Sequence, residues 1–386
     1  MGALDGVNVA LGVTGSIAAV KVVELAHELR RHGASVRAVM TDGARGIVHP
    51  WAVQFATDNP VVTELTGAVE HVELCGTDGW ADVLLVAPAT ANTVGKVAAA
   101  VDDTPVTTCA TTALGAGLPV VVAPAMHEPM YDHPGVADAI ERVASWGVTF
   151  VDPRVEEGKA KIATEEAIVL ATARAADERP LEGRHVVVTS GATSERVDPV
   201  RVLTNRSSGK TGRAVATACY VRGADVTLVH DGPAVPYADV RRVETTAEML
   251  AAVEDAVAGA DALVSAAAIA DYTVDESPEK LRSGEERTLA LHPTPKVVDA
   301  VRAAHPDLPI VGFKAETSDD PASLEAAARE TLERVGLAFV VANDATAVMG
   351  AEETSALLVD GSSAERFTGS KLELGFRVAD DLSARL

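Results

Sequence analysis

Apolar residues occur in short runs that alternate with longer segments of mixed apolar and polar residues. Near the N-terminus, the apolar run Val7 to Val13 precedes a helical pattern from Ile17 to Arg31, and a second apolar run spans Ser35 to Met40. Short apolar runs predict buried strands, and apolar residues spaced three to four apart predict an amphipathic helix. This order predicts the opening of a βαβ unit.

The second half of the chain opens in the same order. The apolar run Val186 to Thr189 is followed by a long loop, a helical pattern from Thr211 to Arg222 and the run Asp225 to Val229. Between the halves, Ala173 to Gly183 is rich in charged residues, proline and glycine, which is typical of a solvated linker.

Further apolar runs alternate with helical patterns in both halves. Because 386 residues exceed the size at which one core keeps growing, the sequence predicts two domains, residues 1–175 and 183–386. The alternation predicts an α/β fold with two doubly wound parallel sheets, whose ligands bind at the carboxyl ends of the strands. The further predicted strands are Val83 to Ala87, Val120 to Ala123, Ala262 to Ser265, Ile310 to Gly312 and Phe339 to Val341.

Charge and hydropathy narrow the classes of function. The formal net charge of -23 repels phosphate backbones, and no basic run offsets it, which argues against nucleic-acid binding. The apolar runs are shorter than the roughly 18 residues that a membrane helix needs. The N-terminus also lacks the basic region of a signal peptide. We therefore expect a cytoplasmic protein that acts on small molecules.

Two features of composition concern the environment of the protein. The cysteines, Cys75, Cys109 and Cys219, form no C-x-x-C pair, so we expect buried free thiols rather than a zinc site or a redox dithiol. Nine of the 33 basic residues are lysine. Because salt screens self-repulsion, such a lysine-poor acidic surface suggests a halophilic host with a high-salt cytoplasm.

Small-residue turns follow several predicted strands of the first half. The turn Gly12 to Ser16 reads G-V-T-G-S and does not match the dinucleotide motif G-x-G-x-x-G. It places backbone N–H groups and a hydroxyl at a helix N-terminus, which favours a terminal phosphate, although a plain strand-to-helix turn is the alternative. Two later strands end in Ala-Pro-Ala, at Ala87 and Ala123, and their loops suit a flat ring that approaches the backbone.

His71 and the stretches Ala87 to Asn92 and Ala123 to Tyr131 resemble the homo-oligomeric flavin-containing cysteine decarboxylases, in particular the phosphopantothenoylcysteine decarboxylases, over residues 5 to 170. The resemblance implies a flavodoxin-like, flavin-binding domain that uses FMN to remove CO2 from a cysteine amide. It also implies that His71 is catalytic, a packed histidine being the alternative. The residues implied to hold FMN are Gly15, Ser16, Thr41, Thr90, Asn92 and Met130.

This half departs from the family pattern in two places. His127 stands where the family has asparagine, and it still offers a donor to a substrate carboxylate. The flap, Val151 to Ala163, lacks the cysteine that often donates a proton in the family. The donor must then be another residue, although a solvated charge cluster is the alternative interpretation of this flap. The candidates in the flap are Glu156, Glu157, Lys159 and Lys161.

The second half carries a motif that is not a P-loop. Ser208 to Thr211 reads S-G-K-T, but Thr204 occupies the position of the first Walker A glycine. The longer stretch Thr189 to Gly212 instead resembles the opening of the phosphopantothenate–cysteine ligases, which implies a Rossmann-like domain that uses CTP, with ATP left open. Four further motifs share this resemblance: Ala266 to Tyr272, Pro278 to Lys280, Gly312 to Thr317 and Ala342 to Asp344.

The ligase resemblance also implies roles for individual residues. Asn205 would stabilise the acyl-cytidylate, because an uncharged amide can hold an acyl phosphate without attacking it, and Lys280 would meet the triphosphate. Mg2+ would bridge phosphate oxygens, but no carboxylate cluster in the sequence marks its ligands. Arg329 and Arg334 lie where bacterial relatives carry triphosphate-binding lysines, and their role stays open. The implied nucleotide pocket comprises Ser265, Ala266, Ala267, Asp271, Thr294, Pro295, Lys296, Val297 and Phe313.

Three functions are compatible with these observations. The favoured one is a bifunctional enzyme that ligates cysteine to 4'-phosphopantothenate and then decarboxylates the product to 4'-phosphopantetheine for coenzyme A. The second is an active ligase with a flavin-binding structural or regulatory domain. The third, a nicotinamide-dependent oxidoreductase, is weakened because neither half contains G-x-G-x-x-G. Because the decarboxylase family builds its flavin site between subunits, we expect a homo-oligomer.

Overall fold

The protein is described by a computed structural model over residues 2–156, 159–284, 286–316, 320–344 and 353–386. The chain divides into two compact units, Met1–Asp177 and Glu178–Leu386. Each unit has its own central sheet and its own cluster of buried apolar residues. Within the described ranges, no helix is long and apolar enough to cross a membrane.

A five-stranded parallel sheet forms the centre of the N-terminal unit. Its strands are β1 (Asn8–Val13), β2 (Ser35–Met40), β3 (Val83–Ala89), β4 (Val120–Pro124) and β5 (Thr149–Phe150). They lie in the order β2-β1-β3-β4-β5, which is the order of flavodoxin-like sheets. Every residue of β3 is buried, as expected for a continuous apolar run in a sheet covered on both faces.

Helices connect the strands of this unit, and a small two-stranded flap follows β5. The helices are a 3₁₀ helix (Ile17–Lys21), α1 (Val22–Arg31), α2 (Asp42–Arg45), α3 (Pro50–Thr57), α4 (Glu70–Cys75), α5 (Ala91–Ala98), α6 (Pro105–Ala116), α7 (Glu128–Tyr131), α8 (Pro134–Ala144) and α9 (Glu165–Ala176). The flap pairs β6 (Arg154–Glu156) with β7 (Lys159–Lys161) in antiparallel fashion. The helix predicted from Ile17 is thus a 3₁₀ turn followed by α1.

An eight-stranded mixed sheet forms the centre of the C-terminal unit. The strands of this unit are β8 (His185–Thr189), β9 (Ser194–Arg196), β10 (Val202–Thr204), β11 (Asp225–His230), β12 (Asp239–Arg242), β13 (Ala262–Ser265), β14 (Tyr272–Val274), β15 (Leu291–Pro293), β16 (Ile310–Glu316), β17 (Phe339–Asp344), β18 (Glu353–Val359) and β19 (Ala364–Ser370). The large sheet has the order β12-β11-β8-β13-β16-β17-β18-β19. Its first six strands are parallel, and β18 and β19 form an antiparallel hairpin at the edge.

Helices follow the parallel strands of this unit as well. They are α10 (Lys210–Val221), α11 (Thr246–Val257), α12 (Val297–Ala304), α13 (Pro321–Val335) and α14 (Lys371–Ser383). Two short antiparallel pairs, β9 with β10 and β14 with β15, lie in the segments that leave the carboxyl ends of β8 and β13. The predicted α/β fold with doubly wound sheets is confirmed.

The β18–β19 hairpin was not predicted. In β18, Thr354, Ala356, Leu358 and Val359 are buried and Ser355 is exposed, whereas no residue of the edge strand β19 is buried. An unburied edge strand leaves little apolar signal in the sequence, and the four apolar residues from Ala356 to Val359 are too short a run to distinguish a strand from a helix segment.

Candidate active sites

A cavity of about 840 Å³ lies at the carboxyl ends of β1 and β3 in the N-terminal unit. Its lining brings together five of the six residues predicted to hold FMN: Gly15, Thr41, Thr90, Asn92 and Met130. The sixth, Ser16, lines an adjoining cavity of about 550 Å³, which shares Gly15, Thr90 and Met130 with the first. The residues predicted to bind one cofactor therefore surround two contiguous spaces.

Close approach of two turns shapes the floor of the larger cavity. A Cβ atom on Gly15 would lie 3.0 Å from the backbone of Gly43, so the turn after β1 and the turn after β2 pass each other with room only for glycine. Thr14 ties this floor to β3, because its buried hydroxyl donates to the Pro88 carbonyl at 2.7 Å and accepts from the Thr90 N–H at 3.1 Å.

Three of the predicted FMN residues also cap helices. The hydroxyl oxygens of Ser16, Thr41 and Thr90 accept backbone N–H groups at the starts of the 3₁₀ helix, α2 and α5, at 3.4, 3.2 and 3.2 Å. Capping uses a lone pair of each oxygen. The Thr41 hydroxyl also donates to the Val13 carbonyl at 3.5 Å, and the Thr90 hydroxyl lies 2.9 Å from that of Thr93, so each would have to turn in order to donate to a ligand. Ser16 directs its hydroxyl proton to the Ala125 carbonyl at 2.9 Å.

The adjoining cavity is lined mainly by apolar residues and by four basic side chains, Lys21, His127, Arg154 and Lys161. Lys21 pairs with Glu165 at 3.3 Å, and the Arg154 Nε atom donates to the Ile162 carbonyl at 3.2 Å. Of the four flap candidates, Lys161 is thus placed at the cavity. The side chains of Glu156 and Lys159 and the whole of Glu157 fall outside the described structure. Arg154 was missed, although its position in a flap next to a proposed carboxylate site could have identified it.

His71 occupies a different place from the cofactor residues. It lies on α4, and its Nδ1 atom is buried without a hydrogen-bond partner among the described residues. The described lining of neither cavity includes His71. The exposed apolar side chains of Val69 and Val72 flank it. The unit therefore does not bring its predicted catalytic histidine to its own cofactor residues.

The three cysteines are buried free thiols, as predicted. A hydrogen bond to Cys75 and burial raise the pKa of the Cys109 thiol, and burial raises the pKa of Cys219 to about 12. No cysteine belongs to the described lining of either cavity in the N-terminal unit.

In the C-terminal unit, a smaller cavity of about 130 Å³ lies where β8, β13 and β16 end. Three predicted nucleotide residues line it: Ala266, Ala267 and Phe313. Thr189 fixes the loop after β13, because its buried hydroxyl accepts the N–H groups of Ala266 and Ala267, both at 3.1 Å. Thr189 therefore holds the loop after β13 through its hydroxyl, as Thr14 holds the start of the segment after β3.

The start of α10 forms one wall of this cavity. A Cβ atom on Gly212 would lie 2.6 Å from the Cβ atom of Ser190, so glycine allows the helix to begin directly against the turn after β8. The lining also contains three cations, Arg206, Lys210 and Lys371, which favour an anionic ligand at a helix N-terminus. Lys371, buried at the start of α14, was not predicted, and no motif pointed to it.

Asn205 and Lys280 lie on loops rather than on the described cavity wall. The Asn205 side-chain amide donates to the Ala268 carbonyl at 3.1 Å, which places it beside the lining residues Arg206 and Ala268. Lys280 is exposed on the segment after β14. Asn205 thus lies at the rim of the cavity, and Lys280 lies outside its described lining.

The remaining predicted nucleotide residues also lie outside that lining. Asp271 forms an ion pair with Lys296, and its carbonyl accepts the N–H of Thr294 at 3.0 Å. These contacts join the segments after β13 and β15, which include Pro295 and Val297. Ser265 is buried at the end of β13.

Arg329 and Arg334 are engaged away from the cavity. Arg329 pairs with Glu325 at 2.8 Å, and Arg334 pairs with Asp299 at 2.8 Å. The described lining includes neither arginine. Among the described residues, no group of three or more His, Cys, Asp or Glu side chains is arranged to hold a metal ion.

Known protein families match the sequence of each unit separately. The profile of the family described as Flavoprotein matches residues 2–176, and that of the DNA/pantothenate metabolism flavoprotein C-terminal domain matches residues 181–385. The chain is 48% identical to the coenzyme A biosynthesis bifunctional protein CoaBC of Thermococcus kodakarensis, with 99% of this chain and 96% of that relative covered.

Two further comparisons cover the whole chain and the N-terminal unit. The chain is 35% identical to the protein of the same description from Bacillus subtilis, with coverage of 99% and 98%. The crystal structure of the FMN-dependent cysteine decarboxylase SpaF is 30% identical, with a TM-score of 0.40, and covers 45% of this chain and 98% of its own.

The two relatives that span the chain contain both of its halves, so the predicted resemblance is confirmed over its full length. The alternative of a nicotinamide-dependent oxidoreductase is wrong. The chain belongs to the family of bifunctional coenzyme A biosynthesis proteins, CoaBC, in which a flavoprotein decarboxylase unit precedes a ligase unit.

Proposed function

We propose that the C-terminal unit activates 4'-phosphopantothenate with CTP and joins it to cysteine, and that the N-terminal unit decarboxylates the product with FMN to 4'-phosphopantetheine. The observation that carries this proposal is the gathering of the predicted cofactor residues around contiguous cavities at the carboxyl ends of β1 and β3. Ligands of doubly wound sheets bind at that edge.

The residues present fit FMN. A flat ring needs close access to backbone, and the Gly15–Gly43 approach and the loop after β3 provide surfaces of small residues. A terminal phosphate needs N–H and hydroxyl donors, which the capped starts of α2 and α5 provide at Thr41 and Thr90. When bound, FMN supplies reversible hydride transfer to and from the substrate.

The basic residues of the adjoining cavity would handle the substrate. We assign the substrate carboxylate to His127 and Arg154, because a guanidinium and an imidazole are suitable donors to a carboxylate. Lys161 would give a proton to the carbon that has lost CO2, in place of the flap cysteine of other family members. This assignment rests on the position of Lys161 at the same cavity as Ser16 and Met130.

His71 would serve the site of a neighbouring copy of the chain. The Nδ1 atom of His71 is buried without a partner among the described residues. Val69, just before α4, and Val72 within it expose apolar side chains that suit contact with a second copy. A homo-oligomer would thus complete each flavin site with a histidine that the same copy does not supply.

In the ligase unit, phosphate oxygens would bind among the cations and backbone N–H groups at the start of α10. Asn205, held by Ala268 at the rim, would contact the acyl-cytidylate, and Lys280 would approach the triphosphate from its loop. Mg2+ would accompany the nucleotide, because this ion prefers phosphate oxygens and water as ligands.

One experiment tests both halves of the proposal. The purified full-length protein is incubated with 4'-phosphopantothenate, cysteine, Mg2+ and either CTP or ATP, and the products are identified by mass. We expect 4'-phosphopantetheine with CTP, and FMN rather than FAD on denaturation. Product with ATP alone would overturn the nucleotide assignment, and a protein that neither contains nor binds FMN would overturn the cofactor assignment.

A further inference from the structure

A buried carboxylate links the two loops that carry the proposed ligase residues. The side chain of Asp198 has no exposed surface, and its carboxylate forms an ion pair with Arg201. Its Oδ1 atom accepts the N–H groups of Val200 and Arg201, both at 2.8 Å, and its Oδ2 atom accepts the N–H group of Leu281 at 3.0 Å. Although burial opposes ionisation, these backbone donors hold the pKa of Asp198 below its usual value.

The bond to Leu281 joins distant parts of the chain. Leu281 directly follows Lys280, and its carbonyl accepts the Arg201 Nη2 atom at 2.9 Å. The same segment is held a second time, because the N–H of Ser277 donates to the Val197 carbonyl at 2.9 Å. The segment 277–281 is therefore fastened at both ends to the turn 197–201, and β10 joins that turn directly to Asn205.

We infer that Asp198 is a positioning residue that holds Lys280 on the same framework as Asn205. The described segment between β14 and β15 contains no helix or strand, and Lys280 is exposed. Its conformation therefore depends on the bonds that Asp198, Arg201 and the Val197 carbonyl make with its backbone. The inference rests on the proposed role of Lys280, and it adds a residue that touches neither the nucleotide nor the reacting atoms.

Asp198→Asn tests the bond with little change of shape. A neutral amide has one acceptor oxygen, so it cannot serve both the N–H of Leu281 and the two N–H groups at Oδ1. The measurement is steady-state, CTP-dependent pyrophosphate release by the full-length protein with 4'-phosphopantothenate and saturating cysteine, which discharges the acyl-cytidylate at each turnover. We expect kcat/KM for CTP to fall about 10- to 100-fold, because a small misplacement of a catalytic group costs that much.

A matched control separates positioning from a general effect on the fold. Asp261 in the same unit accepts the N–H of His185 at 2.8 Å and the Arg184 side chain at 2.9 Å, at the amino end of β8. Asp261→Asn replaces a hydrogen-bonded carboxylate at the opposite end of the sheet from the cavity. We expect the Asp261→Asn protein to release pyrophosphate at the rate of the parent protein.

The double variant with Lys280→Ala decides the mechanism. If Asp198 acts through Lys280, Asp198→Asn adds no further loss to the Lys280→Ala protein, whereas independent effects multiply. An impaired Lys280→Ala with a normal Asp198→Asn overturns this inference alone. A normal Lys280→Ala overturns the proposed role of Lys280 and the inference with it. Should Asp198→Asn fold poorly, Arg201→Gln removes the guanidinium that donates to the Leu281 carbonyl, the second tie between the turn and this segment, and must give the same non-additive loss.

Discussion

The two units place their predicted functional residues by different means. In the N-terminal unit, Gly15, Ser16, Thr41 and Thr90 lie on turns that directly follow parallel strands. In the C-terminal unit, Asn205 and Lys280 lie on longer segments that include short antiparallel pairs. A turn at the end of a strand inherits its position from the sheet, whereas a loop needs its own hydrogen bonds to hold a side chain.

Because the two units position their residues differently, substitutions in them have different effects. In the first unit, a substitution at a strand-end turn alters the shape of the cofactor cavity itself. In the second, Asp198 contacts the residue next to Lys280, so its substitution tests the proposed role of Lys280 from outside the cavity. A variant in one unit leaves the other unit as an internal reference.

The largest effect is expected at the flap of the N-terminal unit. Lys161→Met should slow flavin reoxidation by about 100- to 10,000-fold, because general acid catalysis contributes that range, while CO2 release and flavin reduction continue. Stopped-flow flavin absorbance with product mass measures these steps. Lys161→Arg keeps the charge but cannot give up its proton at neutral pH, so it should be equally slow. Recovery with arginine would mean that Lys161 supplies charge only.

A second variant tests whether the two units work separately. Asn205→Asp should lower ligation by about 100- to 1,000-fold, because it places a negative charge where an acyl phosphate needs a donor. Decarboxylation of supplied phosphopantothenoylcysteine by the same preparation should equal that of the parent protein. Equal loss of both activities would contradict the assignment of Asn205 to the ligase reaction alone.

The sequence predicted the strand-end residues better than the loop residues, for a physical reason. A parallel sheet brings the ends of its strands to one edge, so a motif after β1 or β3 can be placed without knowing any other contact. Asn205 donates to the Ala268 carbonyl, 63 residues away, and Leu281, which follows Lys280, donates to Asp198, 83 residues away. No periodicity in the chain encodes these pairings.

Other features escaped prediction because their signals were weak or absent. The edge strand β19 buries none of its residues, so it leaves no apolar run in the sequence. Lys371 reaches the ligase cavity only because α14 begins there, which no local pattern indicates. His71 was predicted from its motif, but it lies outside the described lining of both cavities in its own unit.

A pair of threonine variants tests whether the two strand ends serve separate ligands. Through buried hydroxyls, Thr14 accepts the N–H of Thr90, and Thr189 accepts the N–H groups of Ala266 and Ala267. Replacing either by valine leaves those groups unsatisfied and should cost about 1 to 3 kcal/mol of unfolding free energy, measured in denaturant. Thr14→Val should weaken FMN retention only, and Thr189→Val should raise KM for CTP only. Serine at either position restores the hydroxyl and should restore both properties.

The smallest effect is expected from the cysteines. A hydrogen bond from the Cys75 thiol and burial raise the pKa of Cys109, and burial raises that of Cys219 to about 12. All three side chains are buried, so the reagent has little access to any of them in the native protein. Because the thiolate is the nucleophile, iodoacetamide should leave the native protein unlabelled and its decarboxylation unchanged. The same reagent in guanidinium should label Cys75, Cys109 and Cys219, which shows that the reagent is active. If labelling of the native protein stalls flavin reoxidation, a cysteine is the proton donor, and the assignment of that step to Lys161 is wrong.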